Sequence, residues 1–162
     1  MSPLLSAVNT LSPPELRHFA HLFVQVGAPQ EVGATPHGRR RVIPITGGEV
    51  EGVDWRARVL PGGADFQLLV NDSLAELDAR YVLETDAGDL VYVRNRAVRS
   101  GPPEVMARLV RGEPVDPTQV YFRCSPSFET ASPSLSWVHQ RLFVGAGVRH
   151  PDKVVMRFFE LA

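Results

Sequence analysis

Cysteine and long apolar runs are scarce in this chain of 162 residues. The single cysteine, Cys124, excludes an internal disulfide and a cysteine-based metal site, and we expect its thiol to be a small core side chain in a strand. No apolar run approaches the roughly 18 residues that a membrane span needs, and the N-terminus has no secretory leader pattern. These absences predict a soluble, cytoplasmic protein without a membrane partner.

An excess of positive charge is also lacking, because 17 Lys and Arg residues stand against 18 Asp and Glu residues and the net charge is −1. No basic face is interleaved with aromatic residues, so nucleic acid is not an expected partner. The chain lacks the glycine spacings of phosphate-binding loops and the Gly-x-Ser-x-Gly motif of serine hydrolases. Of its five histidines, His18 and His21 are three residues apart beside a predicted strand, and the other three are far apart in the sequence. We therefore expect neither a cofactor nor a metal site.

The chain does contain enough apolar sequence, 44%, to form the core of one domain over residues 1–162. Residues 1–18 are expected to form an N-terminal extension or a short helix, since Ser12 and Glu15 have the spacing of a capping box around two prolines. Apolar residues at helical spacing predict a second helix over 103–111, crossing one end of a sheet.

Most of the remaining chain consists of short segments that alternate between polar and apolar residues and are separated by glycine- and proline-rich turns. This pattern is typical of an all-β barrel or sandwich. Gly47-Gly48 and Glu51-Gly52 also bracket a predicted tight connection between two strands. The predicted strands are 19–26, 31–45 with a hairpin turn at 33–38, 53–60, 66–70, 75–85, 89–98, 120–124, 137–144 and 153–161.

Two neighbouring predicted strands carry charged faces. Asp78 and Arg80 share one face of the first strand, and Tyr92 and Arg94 share one face of the second, because alternate side chains of a strand point to opposite sides. Such faces either meet water on the outside of an antiparallel sheet or line a polar barrel interior that holds a ligand. The residues alone leave both interpretations open.

One carboxylate is singled out by the glycines that precede it. Gly62 and Gly63 precede Asp65 with only Ala64 between them, and glycine is needed where the backbone turns sharply or approaches another group closely. They predict a bulge that aims the carboxylate of Asp65. Arg41 ends a run of three arginines, which is either a solvated surface or a run that directs Arg41 into a ligand site.

Several motifs, taken in order from about Leu22 to the C-terminus, resemble the family of domains of unknown function called DUF 3237. They are Gly47-Gly48 with Glu51-Gly52, Leu60-Pro61-Gly62-Gly63-Ala64-Asp65, Asp78-Ala79-Arg80-Tyr81, Val91-Tyr92-Val93-Arg94-Asn95, Tyr121-Phe122-Arg123 with Phe128-Glu129-Thr130, and Trp137 with Phe143-Val144-Gly145.

The resemblance implies a closed antiparallel β-barrel, which we expect to have about eight strands with one or two short helices. It implies no chemistry, because the role of the family is largely unassigned. Phe66 departs from the family pattern, in which tryptophan more often follows the Gly-Gly-Ala-Asp run. A phenylalanine lacks the indole N–H donor, so a hydrogen bond from this position is not expected here.

A barrel of eight strands is just wide enough to be filled by side chains or to hold one small ligand. If the charged faces point inward, Asp65 would be the acid/base or anion-pairing group, and Arg80 and Arg123 would bind an anionic or enolate-like oxygen. The alternative is that these charges form salt bridges that brace the barrel or lie on its surface. The expected ligand-binding residues are Arg41, Asp78, Tyr92, Arg94, Glu129 and Trp137.

Three functions remain open from the sequence. The first is an enzyme of isomerase or lyase type that moves a proton on a small carbonyl or aromatic compound. The second is a non-catalytic ligand-binding or carrier barrel, and the third is an interaction module whose barrel is filled by apolar side chains. A small molecule is the expected partner in the first two. The sequence leaves the oligomeric state open, with a homodimer as the candidate assembly.

Overall fold

The computed structural model describes residues 2–162 and contains ten antiparallel strands and two α-helices. No helix in this part of the chain is long and apolar enough to span a membrane. The strands are β1 (Leu16–Val26), β2 (Gln30–Thr35), β3 (Gly38–Gly52), β4 (Arg56–Val59), β5 (Gly63–Asn71), β6 (Leu74–Thr85), β7 (Leu90–Ser100), β8 (Tyr121–Thr130), β9 (Leu142–Arg149) and β10 (Lys153–Leu161). The helices are α1 (Pro3–Val8) and α2 (Pro103–Val110), with 3₁₀ segments at Pro117–Gln119 and Pro133–Gln140.

The sheet closes into a barrel through β3. Eight strands follow one another around the barrel in the order β1, β10, β9, β8, β7, β6, β5 and β3, and β3 returns to β1. Strand β3 is long enough to pair with β2 and then β1 along one edge, and with β5 and then β4 along the other. The predicted closed antiparallel barrel of about eight strands is therefore confirmed, with β2 and β4 as two extra strands.

The two ends of the barrel differ in chemistry. One end is filled by packed aromatic rings: Phe19 lies 5.2 Å from Phe128 and 4.8 Å from Phe143 between ring centroids, and Trp137 packs edge-on to Phe19 at 5.7 Å. The other end is crossed by α2, as the apolar spacing predicted. Its buried Met106 and Leu109 pack against Ala75 of β6 and close this end.

The N-terminal helix lies earlier than expected. Helix α1 spans Pro3–Val8, with the Ser2 hydroxyl accepting a hydrogen bond from the Leu4 N–H at 3.3 Å. The prediction of a helix starting at Ser12 was wrong. The backbone of Glu15 instead exchanges two hydrogen bonds with Ala162, at 3.0 and 2.8 Å, so the chain is already extended where it enters β1.

The segment 137–144 is not the strand that its alternation predicted. Residues Pro133–Gln140 form a 3₁₀ segment, and β9 begins only at Leu142. A proline at the start of the segment and the docking of Trp137 on the aromatic end favour this helical turn over a strand. The preceding strand, β8, continues to Thr130 instead of ending at Cys124, because its whole length pairs with β7.

The tight connection predicted around 47–52 is also absent, since β3 runs without interruption through Gly48 to Gly52. Gly48 pairs with Val24 of β1, beside the shift in register between Gln25 and Val26. Its φ of +142° suits glycine, and a Cβ at this position would collide with the backbone oxygen of Phe23. Glycine at position 48 thus permits the close contact of β3 with β1 that closes the barrel.

We expect Gly48→Ala to destabilise the protein more than Gly88→Ala. Gly88 also has a positive φ, +86°, but a Cβ there meets no atom within 4 Å. Both variants carry the cost of a positive φ, about 1–2 kcal/mol, and only Gly48→Ala adds overpacking of about 1–3 kcal/mol. Urea unfolding measures the free energies. Equal losses in the two variants would contradict a close contact at the β1–β3 closure.

Candidate functional site

Most of the charged residues predicted for the site lie on the outer face of the barrel. On β6, Asp78 accepts hydrogen bonds from Arg80 at 3.0 Å and from Arg94 of β7 at 3.1 Å. Burial acts to raise the pKa of Asp78, but the hydrogen bonds from Arg94 and Arg80 outweigh it and lower the pKa. Tyr92 is exposed on the same face. The charged faces of β6 and β7 therefore meet solvent, as the simpler of the two interpretations held.

Two predicted residues of β8 also point outward. Arg123 donates a hydrogen bond to the Phe122 carbonyl at 2.9 Å and lies over the ring of Tyr121, 5.4 Å from its centroid. Glu129 is exposed farther along the same strand. Trp137 packs at the aromatic end of the barrel. The structure thus does not bring these residues together with Asp65.

An open groove of about 970 Å³ on the outside does bring some predicted residues together, since Asp78 and Arg123 both border it beside Phe66 and Tyr121. The carboxylate of Asp78 is already paired with two arginines. A site that binds a small molecule tightly usually encloses most of the ligand and offers it unsatisfied polar groups. The groove is open to solvent, so it does not enclose a small molecule in this way.

The lumen holds a cavity of about 50 Å³ at the α2 end. Two small side chains on neighbouring strands, Ala79 and Ala97, leave room for it. Its polar lining consists of Asp65, Gln67, Tyr81, Asn95, Arg99 and Arg149. Of the residues predicted for the site, Asp65 lines this cavity, and Arg41 is buried nearby on β3, opposite Gln67.

Among side chains, Gln67 alone in the described part of the chain donates a hydrogen bond to the carboxylate of Asp65. Its Oδ2 accepts a hydrogen bond from Gln67 Nε2 at 2.8 Å, whereas its buried Oδ1 has no partner among residues 2–162. Burial raises the pKa of Asp65, opposed in decreasing order by the Gln67 hydrogen bond, the charge of Arg99, the backbone N–H of Asp78 and the charge of Arg149. A carboxyl group with a raised pKa and one free oxygen has the properties of a general acid or base.

The predicted bulge positions this carboxylate. Val59 of β4 pairs with Leu83, and Ala64 of β5 pairs with Arg80, so residues 60–63 lie opposite only two residues of β6. Gly62 has a φ of +107° within this bulge. A Cβ on Gly63 would collide with the backbone oxygen of Arg80 and with Tyr81. These glycines therefore allow β5 to pair with β6 directly after β4 does, with the side chain of Asp65 facing inward.

Three arginines converge on the α2 end of the lumen. Arg99 is only 4% exposed, and its Nε has no hydrogen-bond partner in the described part of the chain. Burial lowers the pKa of Arg99 to about 10, while Asp65 opposes and Arg149 and Arg41 reinforce the decrease. Arg149 donates a hydrogen bond to the Lys153 carbonyl at 3.4 Å.

Arg41 connects the barrel to its covering helix. Its Nη1 donates to the carbonyl of Val110, the last residue of α2, at 3.2 Å, and its Nε lies 3.7 Å from Glu31 Oε1. Burial lowers the pKa of Arg41, and the charge of Glu31 opposes this decrease. Arg41 is therefore partly neutralised by Glu31, whereas no ion pair within residues 2–162 includes Arg99.

The remaining polar groups of the cavity are uncharged. Tyr81 is buried, and burial raises the pKa of its hydroxyl, so the group stays protonated as a hydrogen-bond donor. The Oδ1 atom of Asn95 and the Oε1 atom of Gln67 are buried without partners among the described residues.

Cys124 is a buried core residue, as expected, and burial raises its thiol pKa to about 12. Such a thiol is a poor nucleophile at neutral pH.

Sequence reasoning missed Gln67, Tyr81, Asn95, Arg99 and Arg149. The signal that could have found some of them is a polar residue that interrupts an apolar face. On β7, the positions that alternate with Tyr92 and Arg94 are Val91, Val93, Asn95, Ala97 and Arg99, which is an apolar series broken twice. A polar side chain on a face that must be buried is more informative than a fully polar face.

Relatives of this chain are known in bacteria. A UPF0311 protein of Rhodopseudomonas palustris is 46% identical over 142 residues, covering 88% of this chain and 93% of the relative. The crystal structure of the same Rhodopseudomonas palustris protein, described as a conserved protein of unknown function, matches with a TM-score of 0.88 and 42% identity, over 94% of this chain and 100% of that one. A β-barrel like protein of Acinetobacter baumannii matches with a TM-score of 0.82 and 38% identity, over 94% and 98%.

Two fungal proteins are similar at greater distance. The PR-toxin biosynthesis cluster protein 7 of Penicillium roqueforti is 32% identical over 96 residues, covering 49% of this chain and 50% of that protein. An enzyme from Penicillium herquei shares the fold, with a TM-score of 0.69 at 15% identity over 94% of this chain and 97% of that one. The sequence matches the family described as "Protein of unknown function (DUF3237)" over residues 14–161, and the chain belongs to this family.

Proposed function

We propose that the protein binds a small molecule in the α2 end of the barrel and that Asp65 transfers a proton on it, as in an isomerase or lyase. The observation that carries this proposal is the carboxylate itself. One oxygen of Asp65 is fixed by Gln67, and the other is buried and unpaired beside the cavity. A group that only braced the barrel would have both oxygens satisfied, because an unsatisfied buried polar atom costs about 1–3 kcal/mol.

The cavity offers partners for a proton transfer next to a carbonyl group. Asp65 takes a proton from the carbon beside the carbonyl, while the hydroxyl of Tyr81 donates a hydrogen bond to the carbonyl oxygen. Negative charge develops on that oxygen as the proton leaves, so a fixed donor stabilises the transition state more than the ground state. Asp65 then returns the proton to a different carbon of the substrate in an isomerisation, or gives it to the group that leaves as the double bond forms in an elimination.

We infer that a ligand reaches the cavity when α2 moves. A volume of about 50 Å³ holds a few water molecules, whereas ligand pockets usually measure about 300–1,000 Å³. Leu109 of α2 borders a second small space together with Arg99 and Arg149, so the helix lies directly over the arginines. Besides its apolar contacts, α2 is attached to the barrel by the hydrogen bond from Arg41 to Val110. We infer that α2 is the element that opens.

The same cavity bears on the two other functions, an interaction module and a non-catalytic ligand-binding barrel. An interaction module would have a barrel filled by apolar side chains, which describes the aromatic end but not the α2 end. A non-catalytic ligand-binding barrel would share the cavity and would need no base. The fold neighbour from Penicillium herquei is described as an enzyme. A barrel of this kind is therefore compatible with catalysis. The role of Asp65 would distinguish a catalyst from a carrier.

Comparing the stability of the wild type and Asp65→Asn shows whether Asp65 has a functional role or a structural one. Because burial raises the folded-state pKa of Asp65 above its ordinary value of 3.8, the unfolded chain ionises first as the pH rises. The wild type should therefore lose stability relative to Asp65→Asn from about pH 4 upward, until the pH passes the raised pKa. Thermal and urea unfolding across this range measure the difference.

Asp78→Asn provides the opposite comparison. The pKa of Asp78 is lowered, so this carboxylate stabilises the folded protein above its ordinary pKa of 3.8, and that contribution is lost on acidification. The Asn substitution at position 78 should thus cost stability at neutral pH and little in acid. If Asp65→Asn instead lost about 3–5 kcal/mol at neutral pH, as expected for a broken buried pair, Asp65 would be a structural brace.

Proton transfer can be detected without knowing the natural substrate. In deuterated water, the wild type should catalyse exchange of the hydrogens beside the carbonyl of small ketones and oxo acids, followed by NMR. Asp65→Asn should reduce the rate by about 10²–10⁴-fold, and Tyr81→Phe by about 10²–10³-fold. Glu76→Gln, an exposed position on β6, is the matched control and should exchange like the wild type. Exchange that survives in Asp65→Asn would exclude Asp65 as the base.

A further inference from the structure

The cavity contains a guanidinium whose charge the protein does not neutralise directly. Arg99 is 4% exposed and forms no ion pair within residues 2–162, and its Nε lacks a hydrogen-bond partner there. Its nearest aromatic neighbour is Phe122, whose ring centroid lies 5.7 Å from the guanidinium carbon. Burial of a charge is costly unless the charge is paired and hydrogen-bonded.

A second cation faces the same space. Arg149 lines the cavity together with Arg99, and its one hydrogen bond within residues 2–162 goes to the Lys153 carbonyl. Its acidic neighbour Asp152 is exposed to solvent, so water screens the attraction between them. The cavity lining therefore carries two guanidinium groups against the single carboxylate of Asp65.

The third arginine does not change this balance. Arg41 is buried at the same end, but it lies 3.7 Å from Glu31 and donates to the Val110 carbonyl. Its charge adds to the repulsion felt by Arg99 and Arg149. Asp65 forms no ion pair with any of the three among the described residues, so the charges of Arg99 and Arg149 remain available to a ligand.

We propose that Arg99 and Arg149 form an anion-binding pair and that the ligand is a small carboxylic acid that also carries a carbonyl group. The inference rests on the lumen site proposed above and names its ligand class. A planar guanidinium matches a carboxylate with two parallel hydrogen bonds, and such charge-assisted bonds are strong where water is excluded. The carboxylate of the ligand would bind Arg99 and Arg149, and its reacting carbon would face Asp65 and Tyr81.

The position of the arginines also explains how binding and closure are linked. Arg99, Arg149 and Leu109 of α2 border one small space, so an anion seated on the arginines lies directly under the helix. When α2 closes, it excludes water from the anion and strengthens each of these interactions. The compact cavity favours acids with a short carbon skeleton, since a longer one would hold α2 open.

The test compares acids with their uncharged amides at constant ionic strength. Acetate and benzoate are paired with acetamide and benzamide, phosphate is a further anion, and binding is measured by calorimetry and by thermal stabilisation. The wild type should bind each carboxylate at least about tenfold more tightly than its amide, the effect expected for a hydrogen bond to a charged group.

Variants locate the anion. Arg99→Gln and Arg149→Gln should each lose at least about tenfold in carboxylate affinity while amide binding stays unchanged. Arg99→Lys keeps the charge and should retain part of the selectivity. Arg96→Gln, three residues from Arg99 but exposed on the outer face of β7, is the matched control and should bind like the wild type. Melting of each variant without ligand shows whether it is folded.

Each contrary result is distinct. Equal binding of acids and amides, abolished by Asp65→Asn, would leave the lumen site in place and overturn its preference for anions. Carboxylate binding that is lost in Arg96→Gln instead of Arg99→Gln would move the anion to the outer face and overturn the proposal. Tighter binding of phosphate than of any carboxylate, lost in Arg99→Gln, would overturn the carboxylate assignment. Absence of binding by all of these anions would overturn the anion site, even if uncharged ketones still undergo exchange.

Discussion

The pairing of β3 along both of its edges is the constraint on which the rest of the structure depends. Because β3 meets β5 on one side and β1 on the other, the sheet closes and every strand acquires an inner and an outer face. Inner side chains must then either pack as apolar groups or find polar partners. The aromatic end satisfies this requirement by packing, while the α2 end leaves several polar atoms without partners among the described residues.

This constraint explains how far the sequence could lead. The alternation of side chains and the turn residues predict strands, and the family resemblance implies a closed barrel. The architecture could therefore be predicted from the sequence. Strand ends were less accessible, because tertiary contacts decide them. The docking of Trp137 on Phe19 favours a 3₁₀ turn over a strand, and the pairing of Glu15 with Ala162 extends the chain where a helix had been expected.

The site was only partly predictable, for a reason that lies in the faces of the strands. Alternation shows that Asp78 and Arg80 share a face, but it does not say which face points inward. The inward orientation of Asp65 was easier to predict, because the glycines before it indicate a bulge that positions its side chain. Arg99 and Arg149 were missed because each stands alone near the end of a strand. Only closure of the barrel brings Arg149 of β9 to the same end of the lumen as Asp65 of β5 and Arg99 of β7.

The division of the barrel into a packed end and a polar end has a thermodynamic logic. Unpaired buried groups such as Arg99 and Oδ1 of Asp65 cost stability, and a protein has little stability to spare. The rings of Phe19, Phe128 and Phe143 bury large apolar surfaces and prefer tilted or edge-on contacts, so the aromatic end supplies stability that the polar end lacks. Because a single sheet joins both ends, the rigid end also holds the strands that carry the polar residues. The helix α2 covers the polar end through Met106 and Leu109 and through the hydrogen bond that Arg41 donates to Val110.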